Sequence, residues 1–398
     1  MAVSAAVGAV VGITGMGALW WLLSGGPLRD WSNPAPWFMY RPGFALAVFV
    51  EQHLGNLFIP PPLKLGLLSQ SMMKGQVLYV VARLRLADAI GDGERTASEL
   101  ASELNLNADV LHRVMRAAAA MGVFRQVKGR PDAFRNSRVS AALRSDHPND
   151  MTDLIRAIHE QSYEAWGGLL HATRTGENAF EHRHDGVGFW AYLHADPDQT
   201  RMFERAMAAA DCLGLPSVLK DYAWSPYKRV LDIGGSLGTV LSALMRAHPH
   251  MTGVLCDLPD ITDSARAHWA AEHEDLLHRV TFEGGSFFDG VPEGRDGDVY
   301  VMRVVIHDWP DEEAIQILSN IRSAMGDTDA RLVLIEMVVG EPDPVMSRVL
   351  TDLHMLVNFS ARERTEAEWA RVLEPAGFRI SRIQPARSLF SVIEATPV

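Results

Sequence analysis

The sequence predicts an α/β protein in which a parallel, doubly wound sheet fills the second half of the chain and a smaller helical domain precedes it. Three observations carry this. Beyond Tyr227, apolar runs of strand length alternate with helical patterns, as a parallel sheet with covering helices requires. The first of these runs, Arg229 to Ile233, gives way to a glycine-rich turn and then to a helix, Thr239 to Ala247. Between Ser71 and Met121, apolar residues recur near helical spacing and capping signals punctuate them.

Composition bounds the partners. A chain of 398 residues, 47% hydrophobic and 22% charged, can bury two cores, since domains commonly run to roughly 100–200 residues. A net charge of −12 argues against nucleic acid, whose nonspecific affinity comes mainly from Lys and Arg. Two cysteines, Cys212 and Cys256, form neither a disulfide framework nor a CxxC metal pattern, and a reducing compartment follows. Residues 5–24 are a twenty-residue run without charge, the length of a bilayer-crossing helix, with Trp20 and Trp21 toward one interface and Arg29 beyond it. The run predicts a membrane anchor for a cytoplasmic catalytic body. Its four glycines argue the other way, and the lack of Lys or Arg before it argues against a signal or transit peptide.

Along the chain, Phe44 to Phe58 contains Glu51 and His53, which suits a surface-lying or docked helix better than a second span. Pro60, Pro61 and Pro62 close this extension. The predicted divisions are 1–62, a helical domain over 63–222 and an α/β domain over 223–398. One helix is expected from Ser71 to Ile90, a second behind the Thr96–Glu99 capping box, and a third from Val110 to Met121, stopped by Gly122. Followed by Val123-Phe124-Arg125 and a polar turn, these three resemble a winged helix. The would-be recognition helix offers only His112, Arg113 and Arg116 among alanines, so packing explains it better than DNA binding. Further helices fill 151–215, with Trp166, Leu169, Phe189, Trp190, Phe203 and Met207 as bulky apolar members. The cluster from Glu181 to Asp185 lacks zinc-ligand spacing and reads as a solvated loop. Later strands are expected at 252–256, 279–283, 298–303 and 331–336, with a closing pair at 378–383 and 389–394.

The chemistry gathers after the first strand. In Asp232-Ile-Gly-Gly-Ser-Leu-Gly238, Gly234, Gly235 and Gly238 let the backbone approach a ligand. Asp257 ends the next strand, where a carboxylate can accept both hydroxyls of a ribose. A dinucleotide enzyme would prefer Gly-x-Gly-x-x-Gly. With Asp232 just before the glycines, the turn instead suits the cationic amino-acid end of S-adenosylmethionine.

Taken with Cys256-Asp-Leu-Pro259, Glu283-Gly-Gly-Ser-Phe-Phe288, Arg303-Val-Val-Ile-His-Asp-Trp309, Ile335-Glu336 and Arg362-Glu-Arg-Thr365, the sequence resembles the plant-type, caffeate- and acetylserotonin-like small-molecule O-methyltransferases over about residues 70–398. The resemblance implies a Rossmann-like class I methyltransferase sheet, an N-terminal winged-helix dimerisation domain, a homodimer and no metal. It implies that Asp257, with Leu258 beside it, holds the ribose, that Ser286 and Phe287 lie against adenine, and that Arg303 touches the cofactor. It makes His307 the general base, with Asp308 beside it and Glu336 and Glu363 orienting it. Independently, a histidine at the C-terminal end of a parallel strand stands where such sheets place ligands, and neutral imidazole suits proton removal. Three positions depart from the family: Ser236 and Ser360-Ala361 replace glycines, and Ser286 replaces an acid. Phe203, Met207 and Asn358 are the candidates for contact with the acceptor. The competing readings are methyl transfer to sulfur or nitrogen, and a catalytically silent, membrane-tethered binding protein.

Overall fold

The computed structural model describes residues 37, 40, 59–340 and 345–398. The runs 5–24 and 44–58 lie outside the described residues, among which no helix is long and apolar enough to cross a membrane. The described chain forms two compact units, one of residues 59–167 and Trp190–Ala210, the other containing Gly168–Phe189 and residues 211–340 and 345–398.

In the smaller unit the expected single helix over 71–90 is two, Ser71–Arg83 and Leu86–Ile90. The break is at Arg85, left-handed with φ of 51° and ion-paired through its guanidinium to Asp150 at 2.7 Å. It turns Leu86, Ala87 and Ile90 into the core. The capping box forms as the sequence predicts: Glu99 N–H donates to Thr96 Oγ1 at 3.1 Å and Thr96 N–H to the Glu99 carboxylate at 2.7 Å. The next helix, Ala108–Ala120, buries Leu111, Met115 and Ala118 along one face and stops before Gly122, whose φ of +80° suits glycine. Strands β1 (Glu94–Thr96), β2 (Phe124–Val127) and β3 (Arg130–Asn136) form an antiparallel sheet in the order β1-β3-β2. Leu100, Met115, Phe124 and Phe134 fill the shared core, completing the winged-helix form.

In the larger unit seven strands run in the order β6-β5-β4-β7-β8-β10-β9. They are β4 (Arg229–Ile233), β5 (Thr252–Asp257), β6 (Val280–Gly284), β7 (Asp298–Arg303), β8 (Arg331–Glu336), β9 (Phe378–Pro385) and β10 (Ser391–Pro397). The first five pair in parallel, and β10 joins antiparallel between β8 and β9. Alternate residues supply the two faces: Leu231, Tyr300, Leu332 and Leu334 enter one core, Val230, Val299, Val301 and Ile335 the other. The chain runs outward from β4 to β5 and β6, then returns to β7 on β4's other side. The turns after β4 and β7 therefore lie together at the switch point, where open α/β sheets bind ligands.

Candidate active site

The turn after β4 is shaped by what it lacks. At Gly238, a Cβ would lie 2.5 Å from Leu255 Cδ1 and 2.7 Å from Trp269 Nε1, so only glycine lets the helix Thr239–Ala247 pack this closely. Trp269 Nε1 donates to Leu237 O at 2.9 Å, fixing the same corner. At Gly235 a Cβ would lie 2.9 Å from Asp232 Cγ. Ser236, one of the three departures, is held in the left-handed region with φ of 49°.

Asp257 ties this turn to the end of β5, since its carboxylate accepts Ser236 N–H and Leu258 N–H, both at 2.8 Å. A carboxylate offers roughly four acceptor positions, so this arrangement suits ribose hydroxyls. Asp232 is 2% exposed, and among the described residues its Oδ2 is buried without a hydrogen-bond partner. Burial, then the charges of Asp257 and Asp211, pushes its carboxyl up to about 7. A buried carboxylate oxygen in want of a donor, behind a glycine that leaves room beside it, fits the ammonium of S-adenosylmethionine.

Phe287 packs near the same turn, 3.8 Å from where a Gly234 Cβ would stand, with its ring 5.9 Å from that of Trp309. Its main chain is fixed by a residue the sequence did not flag: Asn320 Nδ2 donates to Phe287 O at 2.9 Å and Phe288 O at 2.8 Å. Ser286 Oγ accepts Phe288 N–H at 3.2 Å. Arg303, at the end of β7, is ion-paired to Asp211 and lies over the Phe390 ring at 5.3 Å. Asp211 carried no signal in the sequence; only the fold brings it to Arg303.

His307 sits on a single 3-10 turn, Ile306–Asp308, directly after β7, and is 4% exposed. Its Nδ1 faces Glu363 Oε1 at 2.6 Å and its Nε2 lies 3.4 Å from Asp308 Oδ1. Burial works against the charged ring, yet Glu363, Asp308 and Glu336 outweigh it and hold the imidazole up at about 10. Burial pushes Asp308 and Glu336 up to about 7. Glu336 acts through the main chain: its Oε1 accepts both Val305 N–H and Ile306 N–H at 3.1 Å, with no hydrogen bond to the ring. Just before these, Val304 is held at φ of 54°, a strained setting for a β-branched residue. The resemblance implies no metal, yet the fold brings His307, Glu336 and Glu363 donor atoms within 4.8 Å of one another.

Two further residues were missed. Arg364, fully buried inside the quoted Arg362–Thr365 motif, donates to Ile306 O at 3.1 Å and Trp309 O at 2.9 Å and pairs with Asp311 at 2.7 Å, clamping the His307 turn. His354 lies one helical turn before Asn358 on the helix Met346–Phe359, which packs against that turn. Burial, then the charge of His307, pushes it down to about 4, so it is neutral. Asn358 is 1% exposed and its Nδ2 donates to His354 O at 2.9 Å. Ser360, another departure, caps this helix with φ of 57° and receives a bond from Asn178 Nδ2 at 2.8 Å. Phe203 and Met207, both half-buried, lie on the helix Pro197–Asp211 in the part belonging to the smaller unit.

Comparison with known proteins converges on one family. The O-methyltransferase domain matches residues 166–379 and the O-methyltransferase dimerisation domain residues 67–146. The phenazine O-methyltransferase of Lysobacter antibioticus is 36% identical, with 81% of this chain and 92% of that protein covered. The 8-amino-8-demethylriboflavin N,N-dimethyltransferase of Streptomyces davaonensis is also 36% identical, over 80% of this chain and 90% of its own. A crystal structure of an O-methyltransferase from neocarzinostatin biosynthesis, in complex with S-adenosylmethionine and 2-hydroxy-5-methyl naphthoic acid, superposes with a TM-score of 0.70 at 30% identity. It covers 82% of this chain and 96% of that one. The chain therefore belongs to the O-methyltransferase family and is an S-adenosylmethionine-dependent methyltransferase.

Proposed function

We propose that this chain methylates a hydroxyl on a small, partly apolar molecule, with His307 as the proton acceptor. The observation that carries the reading is the buried pairing of Glu363 with His307, 2.6 Å apart, His307 standing on the turn next to the Asp232–Gly238 turn. S-adenosylmethionine, when bound, supplies an electrophilic methyl on a sulfonium that leaves as a neutral thioether. The protein's tasks are then alignment and proton removal. Asp232 receives the ammonium, Asp257 the ribose hydroxyls, Leu258, Ser286 and Phe287 line the base, and Gly234, Gly235 and Gly238 admit the ligand. Arg303, locked to Asp211, sets the local charge beside Asp232.

With the imidazole held up at about 10, both ring nitrogens carry protons near neutrality; Glu363 retains the one on Nδ1, so it is Nε2 that gives up its proton as pH rises and then takes the acceptor's. The resulting imidazolium is stabilised by the carboxylates that hold its pKa up. Glu336 and Arg364 position the turn, and Asn358 contacts the acceptor. The active species is a homodimer built through residues 67–146, and the uncharged run 5–24 is a tether, assigned on composition alone.

A panel of phenols, amines and thiols with labelled S-adenosylmethionine tests this. His307→Gln is expected to lower turnover on a hydroxyl by about 10²–10⁴-fold with cofactor affinity nearly unchanged. Full activity in that variant removes His307 from the chemistry. The riboflavin-related relative, named as an N,N-dimethyltransferase, makes an amine the second reading; preference for an amine over every phenol would establish it. Detergent-free solubility of the full chain would remove the tether.

A further inference from the structure

Residues 110–145 contain eight Lys and Arg and one acidic residue, Asp132, in a chain whose net charge is −12. Methyl transfer makes no use of this concentration. In the smaller unit Arg116, Arg125, Arg135 and Arg138, all exposed, line one groove of about 710 Å³. An adjoining hollow of about 540 Å³ shares Arg125, Ser137 and Arg138.

Neighbouring Arg95, Arg130 and Arg144 are each paired with a carboxylate, whereas among the described residues none of the four groove arginines forms an ion pair. Arg125 stands directly across from Arg135 in the β2–β3 ladder, a like-charge opposition that weakens a sheet unless an anion relieves it. Arg135 is flanked on its other side by Glu94 of β1, but that carboxylate is turned to Arg130 at 3.4 Å.

We propose that this groove binds an oligophosphate, free or as the tail of a nucleotide. Arginine's planar fork matches phosphate oxygens two at a time, and four forks around one hollow suit two or more adjacent phosphates. The volume is that of a small-ligand site, and Ala119, Ala120 and Val139 give it an apolar wall. A duplex fits less well. The helix Ala108–Ala120 presents mainly Val110 and alanines around Arg113 and Arg116, and the acidic remainder of the chain opposes an extended polyanion.

The test is calorimetry on the full chain saturated with S-adenosylhomocysteine, which fills the cofactor site, titrated with inorganic triphosphate and separately with ATP. Saturable binding is expected, weakened about tenfold or more in Arg125→Gln/Arg135→Gln. That double variant should keep its affinity for S-adenosylhomocysteine, and its melting temperature should hold or rise, because it removes a repulsion. Tighter binding of ATP assigns the nucleotide source; equal binding assigns the phosphates alone. Three results overturn the proposal: no triphosphate binding at millimolar concentration, equal binding by the double variant, or preference for a short DNA duplex with steep salt dependence. If light scattering shows that the double variant changes oligomeric state, the groove is a face between copies and the proposal also falls.

Discussion

Asp232→Asn is expected to stabilise the ligand-free protein at pH 8 while weakening its hold on the cofactor. The folded-state carboxyl titrates near 7 against 3.8 in an unperturbed chain, because burial and then the charges of Asp257 and Asp211 oppose its ionisation. A raised acid binds more protons folded than unfolded between those values. Its contribution is therefore fully present below about pH 4 and is lost as pH rises through 7. At about 1.4 kcal/mol per unit, the loss has a ceiling of about 4 kcal/mol. Asparagine cannot ionise, but its amide hydrogens find no partner there and cost about 1–3 kcal/mol. A net gain of about 1–3 kcal/mol remains at pH 8, or roughly 2–6 °C in melting temperature. At pH 5 only the part accrued above 3.8 applies, about 1.7 kcal/mol, which the cost of the unpartnered amide offsets, so the gain should vanish. Scanning fluorimetry of both proteins at pH 5 and pH 8 reads this directly. Calorimetry with S-adenosylhomocysteine should show at least about a tenfold loss of affinity in the variant. An equal difference at both pH values, or a lower melting temperature at pH 8, refutes the assignment of Asp232 as an ionisable group awaiting a cation.

Asp257→Ala removes the acceptor of two main-chain N–H groups and, on the proposed reading, of the ribose; a loss of about 2–4 kcal/mol in cofactor affinity is expected, and unchanged calorimetric affinity counts against that site. Glu363→Gln takes away the strongest of the charges raising His307, so the rising limb of the pH–rate profile should move to lower pH and its plateau fall by about 10–100-fold; an unmoved limb disconnects the pair from turnover. Arg364→Met leaves Ile306 O, Trp309 O and Asp311 without their donor and should cost about 2–4 kcal/mol in urea unfolding; a cost under about 0.5 kcal/mol shows that the clamp carries no strain.

The sequence exposed those parts whose physics is local. The glycine turn, the Thr96–Glu99 cap and the strand–helix alternation each depend on neighbours a few residues apart, and each appears where expected. His307 was legible because a motif surrounds it. What surrounds it in space was less so. Glu336 came with an expected role at the imidazole, but its carboxylate serves the main chain of Val305 and Ile306, a choice made by the register of β8 against β7. Asp211 and Asn320 are distant in sequence from the groups they hold, and nothing local marks either. The helix expected over 71–90 failed for a similar reason: Asp150, far along the chain, holds the residue at which it breaks.

The position of β10 bears on how the chain is assembled during synthesis. Residues 391–397 are made after β9, yet they pair between β8 and β9, and among the described residues β9 has no other neighbour. A nascent chain that has emerged through β9 therefore exposes the edge of β8, whose Leu332, Val333, Leu334 and Ile335 form a continuous apolar run. Until the ribosome releases the following segment, that edge is open to any passing strand. Truncation after Pro385 should therefore leave the β8 edge unpaired and raise aggregation above that of the full chain.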